Sequence, residues 1–274
     1  MSVRYQEGTR GTTGRPDSPL RRLTTLNILC TNDDGYLSGG IGVLQRASST
    51  IGDVVTVAPD REQSATSNSL TLHHPLRISS PQDSVWVVDG TPTDCIILAL
   101  SSLLSERPDV CVSGVNHGSN MGEDVLYSGT VAAAMEATLA GIPSVALSWC
   151  GDFPKELQAC DELVARVLGD ILSRGPFPED ALFNVNFPAI DPGEIQGIRI
   201  TSLGRRRYAD SVTRAKDPSG KEYHWIGGGQ VTWRGSEDSD FKAIDDGYIS
   251  ITPLHLDLTN YRLLEDVQAW NLTL

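Results

Sequence analysis

No run of apolar residues in this 274-residue chain approaches the roughly 20 that a bilayer-crossing helix requires. Residues 1–24 carry five arginines with Gly, Thr and Pro but no apolar h-region, so they do not form a secretory signal and read as a disordered basic extension. Cysteine is scarce and odd in number. Cys30, Cys95, Cys111, Cys150 and Cys160 lack CxxC spacing and mostly fall inside apolar patterns, which disfavours a disulfide framework and reads as reduced core thiols of a cytoplasmic protein. Basic residues are outnumbered, 22 against 35 acidic, and the formal charge of −13 disfavours a nucleic-acid polymer as partner while leaving room for a small phosphate ester. Neither a GxGxxG fingerprint nor a Walker lysine is present, so dinucleotide and P-loop readings lose their main support.

What the chain does contain is an alternation of strand and helix signals from residue 26 to about 187. Strands are expected from Leu26 onward and at Asp53–Ala58, Val85–Asp89, Asp109–Ser113, Ser144–Ser148 and Ala181–Asn186. Helices are expected at Ile41–Ser49, after Thr91 and Pro92, in the Ala-rich run after Gly129, and at Lys155–Ser173. This order predicts an α/β fold, a mostly parallel sheet with helices on both faces, over residues 25–190. Beyond Asp191 the texture becomes short Thr, Tyr, Trp and Arg runs split by Gly and Asp. There we expect an antiparallel extension at roughly 195–235, a solvated acidic turn at Glu237–Asp240, a strand at Gly247–Pro253 returning to the body, and a closing helix at Glu265–Leu272.

The chemistry gathers after three of the predicted strands. The first runs straight into Asp33 and Asp34, and two adjacent carboxylates where a buried strand meets solvent are hard to justify without a cation. NDDG by itself is an ordinary polar turn. The second and third loops, however, supply Ser64 and Asn116, and carboxylate, hydroxyl and amide oxygens together suit Mg²⁺ or Mn²⁺ rather than zinc. His117 reads as a hydrogen-bonded loop residue rather than a ligand. Gly118 to Gly122 and the helix start at Ser128, Gly129 and Thr130 present backbone N–H groups to an anion. Arg205, Arg206 and Arg207 read as a solvated face ahead of an attractor for anionic substrate, and the aromatic residues from Tyr223 to Trp233 as hairpin packing ahead of a subunit contact.

Together the motifs ILCTNDDG, VVTVAPDREQSATSNSLTL, GTPTDCI, VSGVNHGSNMGEDVLYSGTVAAAMEA and GYISITPLHLDLT have the order and spacing of the SurE family, the survival-protein 5′/3′-nucleotidases. The chain resembles that family over about residues 26–260. The resemblance implies a metal-dependent phosphohydrolase acting on nucleoside monophosphates, and more loosely on other phosphate esters and short polyphosphate. It places the metal on Asp33, Asp34, Ser64 and Asn116, the four oxygens that the loops themselves offer. Asp33, Asp34 and Asn116 are then catalytic, and Asn32, Ser64, Gly118, Asn120, Ser128, Gly129 and Thr130 surround the substrate phosphate. It also implies a Rossmann-like core with an oligomerisation region at 191–274 that forms a homodimer or homotetramer. Tyr36-Leu37-Ser38-Gly39-Gly40 and His117 depart from common forms of the pattern, which bears on substrate preference and not on the ligand set.

An aspartyl-phosphate route usually needs aspartates two apart with a lysine nearby. Here the pair is adjacent and no lysine precedes Lys155.

Overall fold

In the computed structural model, residues 25–272 are described apart from 155–156, 176, 179, 209–211, 227–230 and 271; the expected N-terminal extension lies outside the described residues. The first strand, β1 (Leu26–Thr31), shows why the sheet is buried. Ile28, Leu29 and Cys30 follow one another and all are inaccessible, which requires cover on both faces because successive side chains point in opposite directions. The chain continues through α1 (Gly39–Ser49), β2 (Gly52–Pro59), β3 (Ile78–Gln82), β4 (Val85–Val88), α2 (Pro92–Leu98) with a π-helical continuation to Leu103, and β5 (Val110–His117). Next come α3 (Gly129–Leu139), β6 (Ser144–Trp149), α4 (Leu157–Leu172), β7 (Leu182–Phe187) and β8 (Gly197–Ile200). The last part comprises β9 (Arg205–Tyr208), β10 (Val212–Lys216), β11 (Glu222–Ile226), β12 (Val231–Arg234), α5 (Asp240–Asp245), β13 (Tyr248–Leu254) and α6 (Tyr261–Gln268).

Nine strands form one sheet in the order β3-β4-β2-β1-β5-β6-β7-β13-β8. All neighbours are parallel except β3 with β4 and β13 with β7. Ile28 and Cys30 join a cluster with Ile41 and Leu44 of α1 and Val164 and Leu168 of α4. Leu29 and Cys111 face the other way, toward Cys95 and Ile96 of α2 and Ala133 and Ala137 of α3. The doubly covered, mostly parallel sheet of the sequence reading is therefore present. Cys30, Cys95, Cys111 and Cys160 are buried free thiols, as core packing requires, and burial pushes Cys30 up to about 12. Among the described residues no helix is long and apolar enough to cross a membrane.

Several expectations need correction. The segment around Gly197–Ile200 is not part of an antiparallel hairpin: β8 pairs in parallel with β13 at the sheet edge. Arg199, stacked 3.8 Å over the Tyr248 ring and paired with Asp246 at 2.6 Å, together with Thr201 Oγ1 against Ser250 and Thr252, holds a partner fifty residues away that local composition does not reveal. The antiparallel pairs are β10 with β11 and β9 with β12. The closing helix begins at Tyr261, capped by Asn260, and ends at Gln268. Strand β5 runs to His117, so Asn116 sits on a strand end rather than in a loop, after an irregularity between Ser113 and Asn116. Gly114 permits it: its φ is +135° and a Cβ would lie 2.3 Å from the Leu147 carbonyl oxygen.

The acidic stretch differs most. Asp240 is fully buried, not solvated, and starts α5. Its Oδ2 accepts from Gly122 N at 2.8 Å, and its Oδ1 accepts from Gly204 N and Phe241 N at 2.8 Å each. Burial raises its pKa and the three N–H donors oppose that rise. Substituting Asp240→Ala should strand those donors and lower stability by about 3–5 kcal/mol, read as a fall in the urea midpoint. An unchanged midpoint would mean that the three hydrogen bonds contribute nothing.

Candidate active site

Because β1 lies between β2 and β5 in the sheet, the segments leaving the carboxyl ends of these three strands meet at one place. A cavity of about 590 Å³ opens there, lined by Asp33, Ser64, Asn116, Asn120 and Ser128 among others. The first two loops are joined through the main chain, with Gln63 N donating to Asp33 O at 2.7 Å and Tyr36 N to Pro59 O at 2.9 Å. Helix α3 points its first turn at the same place, its Ser128 hydroxyl accepting from Val131 N at 3.1 Å.

Asp33 is 4% exposed, and its Oδ1 accepts the Thr130 hydroxyl proton. Gly129 lies so close that a Cβ there would stand 2.8 Å from Asp33 Cβ and 2.9 Å from Oδ2. Burial pushes the Asp33 carboxyl up to about 6; the Thr130 hydrogen bond opposes this and the neighbouring Asp34 charge adds to it. Asp34 is half-buried and its Oδ2 accepts from His117 N at 3.0 Å. Its pKa is also raised, first by burial. Among the described residues neither carboxylate forms an ion pair with Lys or Arg.

Asn116 donates Nδ2 to Gly118 O at 2.8 Å, which leaves its Oδ1 for a ligand. Ser64 is exposed and donates to Glu62 Oε1 at 2.7 Å, so its oxygen keeps its lone pairs. A buried and a half-buried carboxylate with no Lys or Arg partner among the described residues, plus one hydroxyl and one amide oxygen, fit a hard divalent ion. Among the described residues no three His, Cys, Asp or Glu gather, which accords with a mixed oxygen set rather than a zinc cluster.

The other expected site residues divide into lining and support. Asn32 uses both amide hydrogens inside the turn, on Gly35 O and Ser38 Oγ at 2.9 Å each. Gly118, with φ +110°, donates its N–H to Trp149 O at 2.8 Å. Asn120 lines the cavity, but its Nδ2 donates to Ser148 Oγ at 2.8 Å. That bond uses one of the two amide hydrogens, and the second remains to donate to an anion. His117 places Nε2 3.1 Å from Asp152 Oδ1 on the surface, as a hydrogen-bonded residue rather than part of the oxygen set.

Sequence reasoning missed Glu62, Asp124, Tyr127 and Ile226. Glu62 orients Ser64, and the other three line the cavity. Arg206 is a correction: it is not a solvated charge but a half-buried partner of Asp124, and its N–H donates to Glu123 Oε2 at 2.6 Å. Trp233, expected to pack within the hairpins, instead stacks at 5.2 Å on Phe241 of α5.

Comparison with known proteins adds an independent line. The family model described as "Survival protein SurE" matches residues 28–210. A relative named 5′-nucleotidase SurE from Gemmatimonas aurantiaca is 55% identical over 248 residues, which cover 89% of this chain and 98% of that protein. One of the same name from Geobacter sulfurreducens is 47% identical over 249 residues, covering 90% and 95%. The crystal structure of the SurE protein from Aquifex aeolicus superposes with a TM-score of 0.77 at 39% identity, covering 89% of this chain and 98% of that one.

The raised Asp33 value has a consequence for folding. Since its folded-state pKa of about 6 lies above the ordinary 3.8, ionising it costs folding free energy. The cost is absent below about pH 4, grows through pH 6 and is then fully present at about 3 kcal/mol. Chelator-treated Asp33→Asn should therefore be more stable than the chelator-treated parent at pH 8, with the difference closing toward pH 4.5. Thermal midpoints that differ by the same amount at every pH would show that Asp33 does not titrate in this way.

Proposed function

The chain belongs to the SurE family, and on that premise we propose that it is a metal-dependent phosphomonoesterase that hydrolyses nucleoside 5′- and 3′-monophosphates, with short-chain polyphosphate as a further substrate. The observation that carries this reading is the meeting of Asp33, Ser64 and Asn116 at one cavity, with Asp34 tied to its rim through the His117 N–H. The names of its relatives support the 5′-nucleotidase part. Asp33, Asp34, Ser64 and Asn116 hold the divalent ion, Mg²⁺ or Mn²⁺. When bound, the ion supplies Lewis acidity and offsets charge on the phosphoryl group.

The protein's own groups do the rest. Asp33 is held at Oδ1 by Thr130, which leaves Oδ2 to take a proton from the attacking water. Helix α3 turns its Ser128–Thr130 end toward the phosphate, so its dipole and N–H groups accommodate negative charge. Gly129 keeps Asp33 in place by having no side chain. The region 191–274 carries exposed apolar residues, including Trp225, Leu263 and Trp270, and joins copies into a homodimer or homotetramer.

Phosphate release from AMP, GMP and 3′-AMP with Mn²⁺ should be abolished by chelator and restored by added metal. Asp33→Asn and Asn116→Ala should each lower kcat/KM by about 10²–10⁴-fold with the fold intact by circular dichroism. A non-catalytic nucleotide-binding module would instead bind AMP without metal-dependent turnover, and that result would refute the enzyme reading. Gly129→Ala should displace the Asp33 carboxyl and reduce kcat by about tenfold or more. Parent-like kcat in that variant would show that the close approach is not needed.

A further inference from the structure

The lining residue Asn120 is held from behind by side chains that do not reach the cavity. Asn186, on β7 and fully buried, grips both polar groups of the Asn120 main chain: its Oδ1 accepts from Asn120 N at 2.9 Å and its Nδ2 donates to Asn120 O at 3.0 Å. Asn184, two residues earlier and also fully buried, donates Nδ2 to the same carbonyl at 2.8 Å, so both lone pairs of that oxygen are engaged. Ser148, at the end of β6, meets the Asn120 side chain. An amide side chain that reads the N–H and C=O of one residue does the work of a neighbouring strand for a segment that has no ladder partner.

Such an arrangement is more than packing requires. Asn184 and Asn186 lie on an interior strand, between parallel β6 and antiparallel β13, where aliphatic residues fill space without polar atoms to satisfy, and among the described residues Asn184 Oδ1 is buried with no hydrogen-bond partner. Polar groups in that setting fix one arrangement against alternatives of similar shape. The residue they fix lines the cavity beside Asp33, Ser64 and Asn116. Asp240 adds a second clamp two residues on, at Gly122 N.

We propose that Asn186, supported by Asn184, is a positioning residue for catalysis: it sets the main chain of Asn120 and so the placement of segment 118–122 against the substrate phosphate. This rests on the phosphomonoesterase reading above. Asn186 does not line the cavity, and its side-chain hydrogen bonds run to the Asn120 main chain. Its effect should appear in turnover and not in binding of the divalent ion.

The discriminating variant is Asn186→Asp, which keeps the acceptor for Asn120 N but can donate to Asn120 O only while the introduced carboxyl is protonated. Two properties of the full chain are measured: AMP hydrolysis with Mn²⁺ at pH 5.5 and pH 8, and deuterium uptake of segment 118–122. Relative to the parent, kcat should fall at least about tenfold at pH 8 with KM changed less than about threefold, and the deficit should shrink at pH 5.5. Segment 118–122 should take up deuterium faster at pH 8, while Mn²⁺ affinity stays within about twofold of the parent's. If the carboxylate prevents folding, Asn184→Ala takes its place. That change removes one donor to the same carbonyl and an oxygen that had no partner, and should give a smaller loss of kcat with the same faster uptake. Parent-like kcat, or a loss equal at both pH values with unchanged uptake in segment 118–122, overturns the proposal. A parent that releases no phosphate refutes the enzymatic reading instead, and deuterium uptake alone then decides whether Asn186 fixes the segment.

Discussion

Two neighbouring carboxylates are kept largely out of water with no lysine or arginine among the described residues to neutralise them, and the carboxyl edge of the sheet is built to hold them there. Desolvation alone favours protonation of Asp33 and Asp34, and each also feels an adjacent acidic group, Asp34 for Asp33 and Glu62 for Asp34. What offsets this is a small set of donors, the Thr130 hydroxyl on one and the His117 N–H on the other. These are enough to orient the carboxyl groups and too few to replace a counter-ion. The site is thus organised around a charge that the polypeptide does not balance by itself, and the divalent ion proposed above would offset it.

The parts that surround this pair come from distant stretches of chain. Residues of β7 hold Asn120, the first residue of α5 holds Gly122, and Arg206 of β9 holds Asp124. The segment from Gly118 to Ser128 therefore receives its shape from the C-terminal half of the molecule. The sheet continues in the same direction of dependence, since β13 pairs with β7 and carries β8 at its far side. Residues after 191 contribute to the core sheet and the site as well as to the paired strands of the extension.

The fold was legible where a physical signal is local. Consecutive apolar residues in β1, β5 and β6, a Pro and a capping Thr ahead of α2, and a Ser–Gly–Thr start to α3 each announce their element within a few residues. That Asp33, Ser64 and Asn116 come to one cavity was legible because they lie at or beyond the carboxyl ends of β1, β2 and β5. What stayed hidden depends on partners far away in sequence. Asp240 sits among charges that composition assigns to solvent, yet three N–H groups from separate segments converge on it. Arg206 is half-buried beside Asp124 while the adjacent Arg205 is exposed, and β8 finds its partner fifty residues on. Asn184 and Asn186 look like ordinary strand residues until their contact with Asn120 is known.

The bond from Gln63 N to Asp33 O couples the second loop to the first through peptide groups alone. A peptide unit is the one part of a residue that substitution leaves unchanged, save by proline. The spacing between the carboxylate corner and the hydroxyl corner is accordingly indifferent to which side chain occupies position 63. The side chain at position 63 can therefore change without altering that bond, and the backbone alone carries the link between the two corners.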